Sequence, residues 1–189
     1  MKDGAFPFDP AIRRLWRFDR TALKKHFSRL GPESRRMRFA GVVGDDFVAR
    51  HAESLLDGDS IVYGAFPDGV LRAVAELSGL HDHDPTAAEA AFSVESDFRD
   101  RGIGDALLSR VITAARNRNV TSLYMLCLRE NERMKHLAMK HDARLEYHTT
   151  DVEARLTPQP PNPFSIAREM AEETRGLVQA ALHWPTHED

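Results

Sequence analysis

The stretch Ala88-Glu89-Ala90-Ala91-Phe92-Ser93-Val94, followed after four residues by Arg99-Asp100-Arg101-Gly102-Ile103-Gly104, decides how this chain folds. It reads as a strand, a glycine loop and the start of a helix. Two glycines let a backbone approach a ligand with no Cβ in the way, and the first amides of a following helix are unpaired donors at the positive end of its dipole. Such an end holds a pyrophosphate. A Gly-x-Gly after a strand is more often a plain turn, so the neighbouring sequence has to decide. From Ile103 the apolar residues Leu107, Leu108, Val111, Ile112 and Ala115 recur at helical spacing, with Asp105, Arg110, Arg116 and Arg118 on the other side. Ser122-Leu123-Tyr124-Met125-Leu126-Cys127-Leu128 then gives a nearly continuous apolar run, as expected of a strand covered on both faces. The whole is one βαβ unit.

Upstream, residues 1–20 carry Pro7, Pro10, Phe6, Phe8, Trp16 and Phe18 and read as a strapped-down arm or an edge strand. Residues 21–30 and 32–39 read as helices separated by Pro32, and 45–56 as a third that opens on Asp45 and Asp46 and spaces Phe47, Val48, His51 and Leu55 helically. Residues 60–66 and 70–78 are β-rich and joined by Pro67-Asp68-Gly69, a hairpin turn signal. Downstream, 131–141 is helical with Met134, Leu137 and Ala138 inward, and 144–147 and 151–156 are closing strands. Pro158, Pro160, Pro161 and Pro163 form a stiff linker before a terminal helix over 165–182, with Ile166, Met170, Leu177, Ala181 and Leu182 along one side. Residues 1–157 thus form the principal domain. Residues 158–189 supply a linker and a helix that packs on it or at a homodimer interface.

With 189 residues, 42% of them hydrophobic and 29% charged, the chain can bury one substantial core. A formal net charge of -3 provides no field to draw it to nucleic acid or an anionic membrane. No apolar run approaches a membrane span and residues 1–4 lack the apolar core of a signal peptide, so a cytoplasmic protein is expected. The single cysteine, Cys127, lies in the apolar strand and reads as a buried structural thiol.

The motif Arg99-x-x-Gly102-x-Gly104, its helix, the apolar strand to Leu128 and Asn131 at the next helix together resemble the GNAT superfamily of acyl-CoA-dependent N-acetyltransferases over residues 61–156. The resemblance implies an α/β (α+β) fold with a mixed, mostly antiparallel central sheet, helices on both faces, and a splayed parallel pair at 87–94 and 122–128. It implies acetyl-CoA as cosubstrate and no metal. The backbone of Phe92, Ser93 and Val94 would line the pantetheine arm, the loop residues Arg99, Asp100, Arg101, Gly102, Ile103, Gly104 and Asp105 the pyrophosphate, and Asn131 the far wall. Ala88-Glu89-Ala90-Ala91-Phe92 resembles the strand of GNAT protein-lysine acetyltransferases that carries a glutamate base, which maps that role onto Glu89; the plain alternative is a solvated edge glutamate. The segment Leu30-x-Pro32-Glu33-Ser34-x-x-x-Arg38-Phe39 is similar to one in the same bacterial enzymes. Expected acceptors are therefore amines, of a small molecule or of protein lysine. Two departures stand out: many members place a tyrosine where this chain has Ala138, and a Gly-Phe pair where it has Asp142-Ala143. The missing tyrosine supports a rival reading, a non-catalytic acyl-CoA-binding sensor or interaction module.

His81-Asp82-His83-Asp84 carries metal-capable groups, but alternating residues in one loop rarely converge on one ion, so His83 and Asp84 are read as candidates for orienting a cationic acceptor. Glu76 is the second candidate base, and His51 a half-buried helix residue. Arg99, Arg101 and Arg129 flank the proposed phosphate site and suit a 3'-phosphate, or are ordinary surface charge. Arg35, Arg36 and Arg38 read as a solvated helix face, and Met134, Met139 and Met170 as core filler.

Overall fold

The computed structural model describes residues 11–80 and 84–182. The arm expected over 1–10 and the side chains of His81, Asp82 and His83 lie outside them. In chain order the elements are β1 (Ala11–Arg14), a 3-10 turn (Arg17–Asp19), α1 (Arg20–Arg29), α2 (Pro32–Phe39), α3 (Asp45–Ser54), β2 (Ile61–Phe66), β3 (Ala73–Ser78), β4 (Ala87–Val94), a second 3-10 turn (Ser96–Phe98), α4 (Ile103–Asn117), β5 (Ser122–Leu128), α5 (Glu132–Lys140), β6 (Arg144–Tyr147), β7 (Asp151–Leu156) and α6 (Pro163–Leu182).

Among the described residues the strands form one seven-stranded sheet in the order β1-β2-β3-β4-β5-β7-β6. Every pairing is antiparallel except β4 with β5. That parallel pair is brief: Ala87, Ala88 and Glu89 face Ser122, Leu123 and Tyr124, and then the ladder stops. Yet β4 stays paired to β3 out to Val94, and β5 to β7 out to Leu128. The two central strands diverge beyond Glu89, so the sheet has the splayed mixed architecture expected of it.

Alternation along the strands divides the side chains between two cores. Ala75, Leu77, Ala88, Ala90, Leu123 and Met125 join Leu107, Leu108 and Val111 of α4 and Ala138 of α5 on one face. Val62, Leu71 and Val74 join Leu23, Phe27, Val48 and Ala52 of α1 and α3 on the other. Helices therefore cover both faces. Glu76, Glu89 and Ser93 alternate with the first set and fall on the α1–α3 face, where α2 lies across β4 and β5.

Helix α6 departs from its sequence pattern. Ile166, Met170 and Leu177 are exposed, 65% in the case of Met170, so the apolar stripe faces outward. The face that packs on α4 and β1 is polar. Asn117 Nδ2 donates to Glu169 Oε2 at 2.6 Å, Arg118 pairs with Glu169 at 2.7 Å, Arg110 with Glu172, and Arg14 with Glu173 at 3.0 Å. Gly176 lies so close to Arg13 that an added Cβ would stand 2.7 Å from that side chain's Cβ. Ion pairs, which no apolar periodicity reports, decide the orientation. Met139 is likewise 52% exposed and fills no core.

Candidate active site

The loop after β4 is tied down before it reaches its glycines. Glu95 lies at the end of the strand and is 8% exposed. Its carboxylate takes His26 Nδ1 at 3.1 Å, Arg29 Nε at 2.9 Å and Arg72 Nη1 at 2.9 Å. Burial alone would push this carboxyl up, but the hydrogen bonds from His26, Arg29 and Arg72 outweigh it and hold it at about 2. Desolvation lowers the proton affinity of fully buried His26. A neutral imidazole facing a carboxylate must give its Nδ1 proton to it, so Nε2 accepts from Ser93 Oγ, 2.8 Å away. The Ser93 hydroxyl is thus committed to α1, and its backbone faces β3, where Val74 is its partner.

Beyond Glu95 the chain turns through Ser96–Phe98 into the glycine loop. Asp100 and Gly102 both take left-handed backbone, φ 57 and 75, and Gly102 serves as the N-cap of α4. A cap without a side chain has no oxygen to accept from the first turn, and no side-chain cap bond is made there. The amides of Ile103, Gly104 and Asp105 therefore have neither an intrahelical carbonyl nor a side chain to receive them. Gly102→Ala forces a Cβ into the left-handed region at a cost of about 1 kcal/mol. The expected result is a Tm lower by about 2–4 °C in a thermal melt.

The side chains around these amides are distributed unevenly. Arg101 lies over the Phe98 ring at 5.2 Å. The Arg99 guanidinium is engaged within the protein: its Nε donates to Val94 O at 3.2 Å and its Nη2 to Ser34 Oγ at 2.6 Å, fastening α2 to the loop. Asp105 accepts from Lys140 Nζ and His141 Nε2, both at 2.8 Å. Burial raises its carboxyl, and the hydrogen bonds from Lys140 and His141 bring it below the ordinary range. Asp100 reaches Arg133 at 3.4 Å. Asn131 is the N-cap of α5, its Oδ1 accepting from Met134 N at 3.2 Å.

Backbone direction in the fork follows from the bonds at the two ends of β4. Glu95 N donates to Arg72 O on the β3 side, while Thr86 O accepts from Thr121 N and Ser122 N on the β5 side. Extended residues point their N–H and C=O alternately to the two sides, so the amides of Ala90, Phe92 and Val94 face the opening between β4 and β5. Arg99 occupies the Val94 carbonyl. The Ala90 N–H belongs to the last rung, made with Tyr124; the groups beyond it, from the Ala90 carbonyl through Phe92 to the Val94 N–H, are presented as an open edge, running from the fork towards the α4 N-terminus.

Glu89 is the last paired residue of β4, where the strands part, with Tyr124 its register partner. It is half-buried, and burial raises its proton affinity, with Arg38 opposing and Glu76 reinforcing. Glu76 is 4% exposed and clamped, with Arg38 Nη2 at 2.6 Å and His51 Nε2 at 3.2 Å. Burial would raise its carboxyl, but Arg38 and His51 more than offset this and leave it below the usual range. A clamped carboxylate is a poor proton acceptor, which separates Glu76 from Glu89. Arg38 is correspondingly not a solvated residue of α2, since its side chain is only 10% exposed. Nothing in the local sequence announces the Arg38–Glu76–His51 and His26–Ser93–Glu95 clusters, because their members come from separate elements. Cys127 is buried, and desolvation raises its thiol. Among the described residues no cluster of three metal-capable side chains forms and no helix is long and apolar enough to cross a membrane.

A sheet split at its centre, with an uncapped helix end beside the split, defines the acyltransferase type of fold. Residues 24–142 match the model of the acetyltransferase (GNAT) family, and the chain belongs to that family. It is similar to the solved GNAT domain of S. lividans PAT, at 19% identity and TM-score 0.66 over 77% of this chain and 89% of that one. It is similar also to yncA, a putative acetyltransferase from Salmonella typhimurium solved with acetyl-CoA, at 18% identity and TM-score 0.60 over 78% and 93%. A cAMP-binding acyltransferase from Mycobacterium smegmatis aligns over 89% of this chain at 21% identity and TM-score 0.56, and this chain spans about half of that protein, 51%.

Proposed function

We propose that the protein is an acetyl-CoA-dependent N-acetyltransferase that acylates a primary amine, of a small molecule or a protein lysine, by direct attack on the thioester. The observation that carries the reading is the alignment of three features along one opening: the uncapped amides of Ile103, Gly104 and Asp105, the free backbone edge of β4, and Glu89 at the fork. These residues fit the group. Unpaired amides at a helix N-terminus suit a pyrophosphate, and a strand edge suits the amide-bearing pantetheine arm as if it were an added strand.

Acetyl-CoA supplies an acyl group already activated as a thioester. Arg99, Asp100, Arg101, Gly102, Ile103, Gly104 and Asp105 hold the diphosphate through their backbone, and the amides of Phe92 and Val94, on either side of Ser93, align the arm, so both reactants meet in one cleft. The β4 amides that face the opening polarise the thioester carbonyl. Glu89 takes a proton from the acceptor ammonium, directly or through water, and the freed nitrogen bonds to the carbonyl carbon as the C–S bond breaks. The acetyl group ends on nitrogen, and coenzyme A leaves as a thiolate that takes up the second proton shed by the acylated nitrogen. A half-buried carboxyl with raised proton affinity suits this step better than clamped Glu76 does. Ala138, fully buried, provides no hydroxyl to the leaving sulfur, but a thiolate is a good leaving group without one.

A panel of lysine peptides, polyamines, amino acids and aminoglycosides with acetyl-CoA, followed by free-thiol detection, tests the reading. At least one amine is expected to release thiol in step with its own acetylation. Coenzyme A that binds while every amine leaves the thioester intact would overturn the enzyme in favour of a binding module. Saturating acetyl-CoA at about a hundred times its Kd should stabilise the fold by about 2.7 kcal/mol, whereas ATP should not.

A further inference from the structure

Glu76 and Glu89 stand on the same face of adjacent strands. The register pairs Glu76 of β3 with Ala91 of β4, so Glu89 is two residues along from that partner and is the diagonal neighbour of Glu76. Diagonal neighbours are about 7–8 Å apart at Cα, within reach of long side chains. One carboxylate of the pair is buried against two side chains from separate helices, Arg38 of α2 and His51 of α3. Among the described residues the other carries no ion pair of its own.

We propose that Glu76, held as a carboxylate by Arg38 and His51, is a positioning residue that sets the proton affinity of Glu89. The inference rests on Glu89 as the base and assigns Glu76 a task in that same site. Burial of a lone carboxylate is unfavourable, so Glu76 stripped of both Arg38 and His51 would simply take up a proton. The clamp keeps its negative charge in place throughout the range where Glu89 titrates. Two neighbouring carboxylates cannot ionise equally; the one held by Arg38 and His51 ionises first and the other retains its proton longer. Among the described residues the charged groups acting on Glu89 are Arg38 from α2 and Glu76 from β3, while Tyr124 of β5 is its register partner and His51 acts through Glu76. Arg38 has a second consequence. It stands between the carboxylates electrostatically, and its commitment to Glu76 prevents it from capturing Glu89. A structural pin alone would be redundant, since α2 is also fastened by Arg36 to Glu130 at 2.7 Å and by Ser34 to Arg99.

The test follows the Glu89 carboxyl by 13C NMR in the full-length protein, its resonance assigned by disappearance in Glu89→Gln. In Glu76→Gln the Glu89 midpoint is expected to fall by about one pH unit, because a like charge is removed and Arg38 is released towards Glu89. The acidic limb of kcat/KM should move down by the same interval, and the plateau should fall several-fold as the base weakens. Adding Arg38→Met to Glu76→Gln should return the midpoint by more than half. If Glu76→Gln does not fold, Arg38→Met against the double variant gives the same comparison, with the lower midpoint expected in the double variant. A Glu89 midpoint that stays within about 0.2 units on either comparison overturns the inference, even if activity falls. Turnover that survives Glu89→Gln overturns the base assignment instead, and the midpoint shift is read independently of it.

Discussion

Glu89→Gln is expected to lower kcat/KM for amine acetylation by about a hundred- to ten-thousand-fold while leaving the affinity for coenzyme A within about twofold. Glutamine has nearly the same shape and cannot accept the proton, so only chemistry is removed. The separation follows from position: Glu89 is at the fork, whereas the proposed diphosphate contacts lie on the loop and the first turn of α4. Steady-state kinetics on an accepted amine, with calorimetric titration of coenzyme A, reads both quantities. A variant with more than about a third of wild-type kcat/KM would remove Glu89 from the mechanism. In the wild type the base must be unprotonated to act. Burial raises Glu89 above the ordinary 4.5, so activity falls as pH drops through that raised value and is retained above it.

The largest loss of stability is expected from Glu95→Gln. The change leaves Arg29 and Arg72 facing a neutral amide: its one oxygen can keep the bonds from His26 and Arg29, but its NH2 group is then a donor set against the Arg72 guanidinium. Removing one partner of a buried ionic cluster costs about 3–5 kcal/mol, a large share of the about 5–15 kcal/mol that a domain commands. Urea unfolding should show a lower midpoint with an unchanged slope. The pH dependence has a definite sign. Glu95 is held at about 2 against an ordinary 4.5, so its contribution is complete above about 4.5 and disappears as pH falls towards 2. Buried His26 is kept neutral, and below its ordinary 6.5 the unfolded chain gains a proton that the folded one resists. Both groups therefore weaken the wild-type fold as the solution becomes acidic. Glu95→Gln should lose the part of that decline between about 4.5 and 2. A stability change under about 1 kcal/mol would show that the cluster is solvated in solution.

The path from β4 through the glycine loop to β5 was legible in the sequence because each step depends on neighbours in the chain. Alternation, two glycines and a 3.6-residue period are local signals, and the observed spans Ala87–Val94, Ile103–Asn117 and Ser122–Leu128 follow them. What failed to be legible was decided by partners far away in sequence. Arg38 reads as surface charge until β3 brings Glu76 beneath it, and nothing beside Arg99 in the chain tells that Ser34 of α2 takes its guanidinium. Asn131 has the residue type of a ligand and the position of a helix cap, and the cap is the role its Oδ1 fills. On α6 the apolar period is real, but Glu169, Glu172 and Glu173 found arginines on α4 and β1, and the stripe was left facing outward. Periodicity shows that a helix has two faces; it does not choose which one is buried.

The brief β4–β5 ladder makes the sheet two panels sharing a short seam at residues 87–89 and 122–124. On the proposed reading, the rungs that would complete the weave beyond the seam are left for an extended molecule to provide. Ligand and protein then form a single fabric, and whatever occupies the gap becomes structural for as long as it stays. Departure of the spent carrier would unstitch the panels again, so the release that ends a catalytic cycle also returns the middle of the sheet to its loosest state.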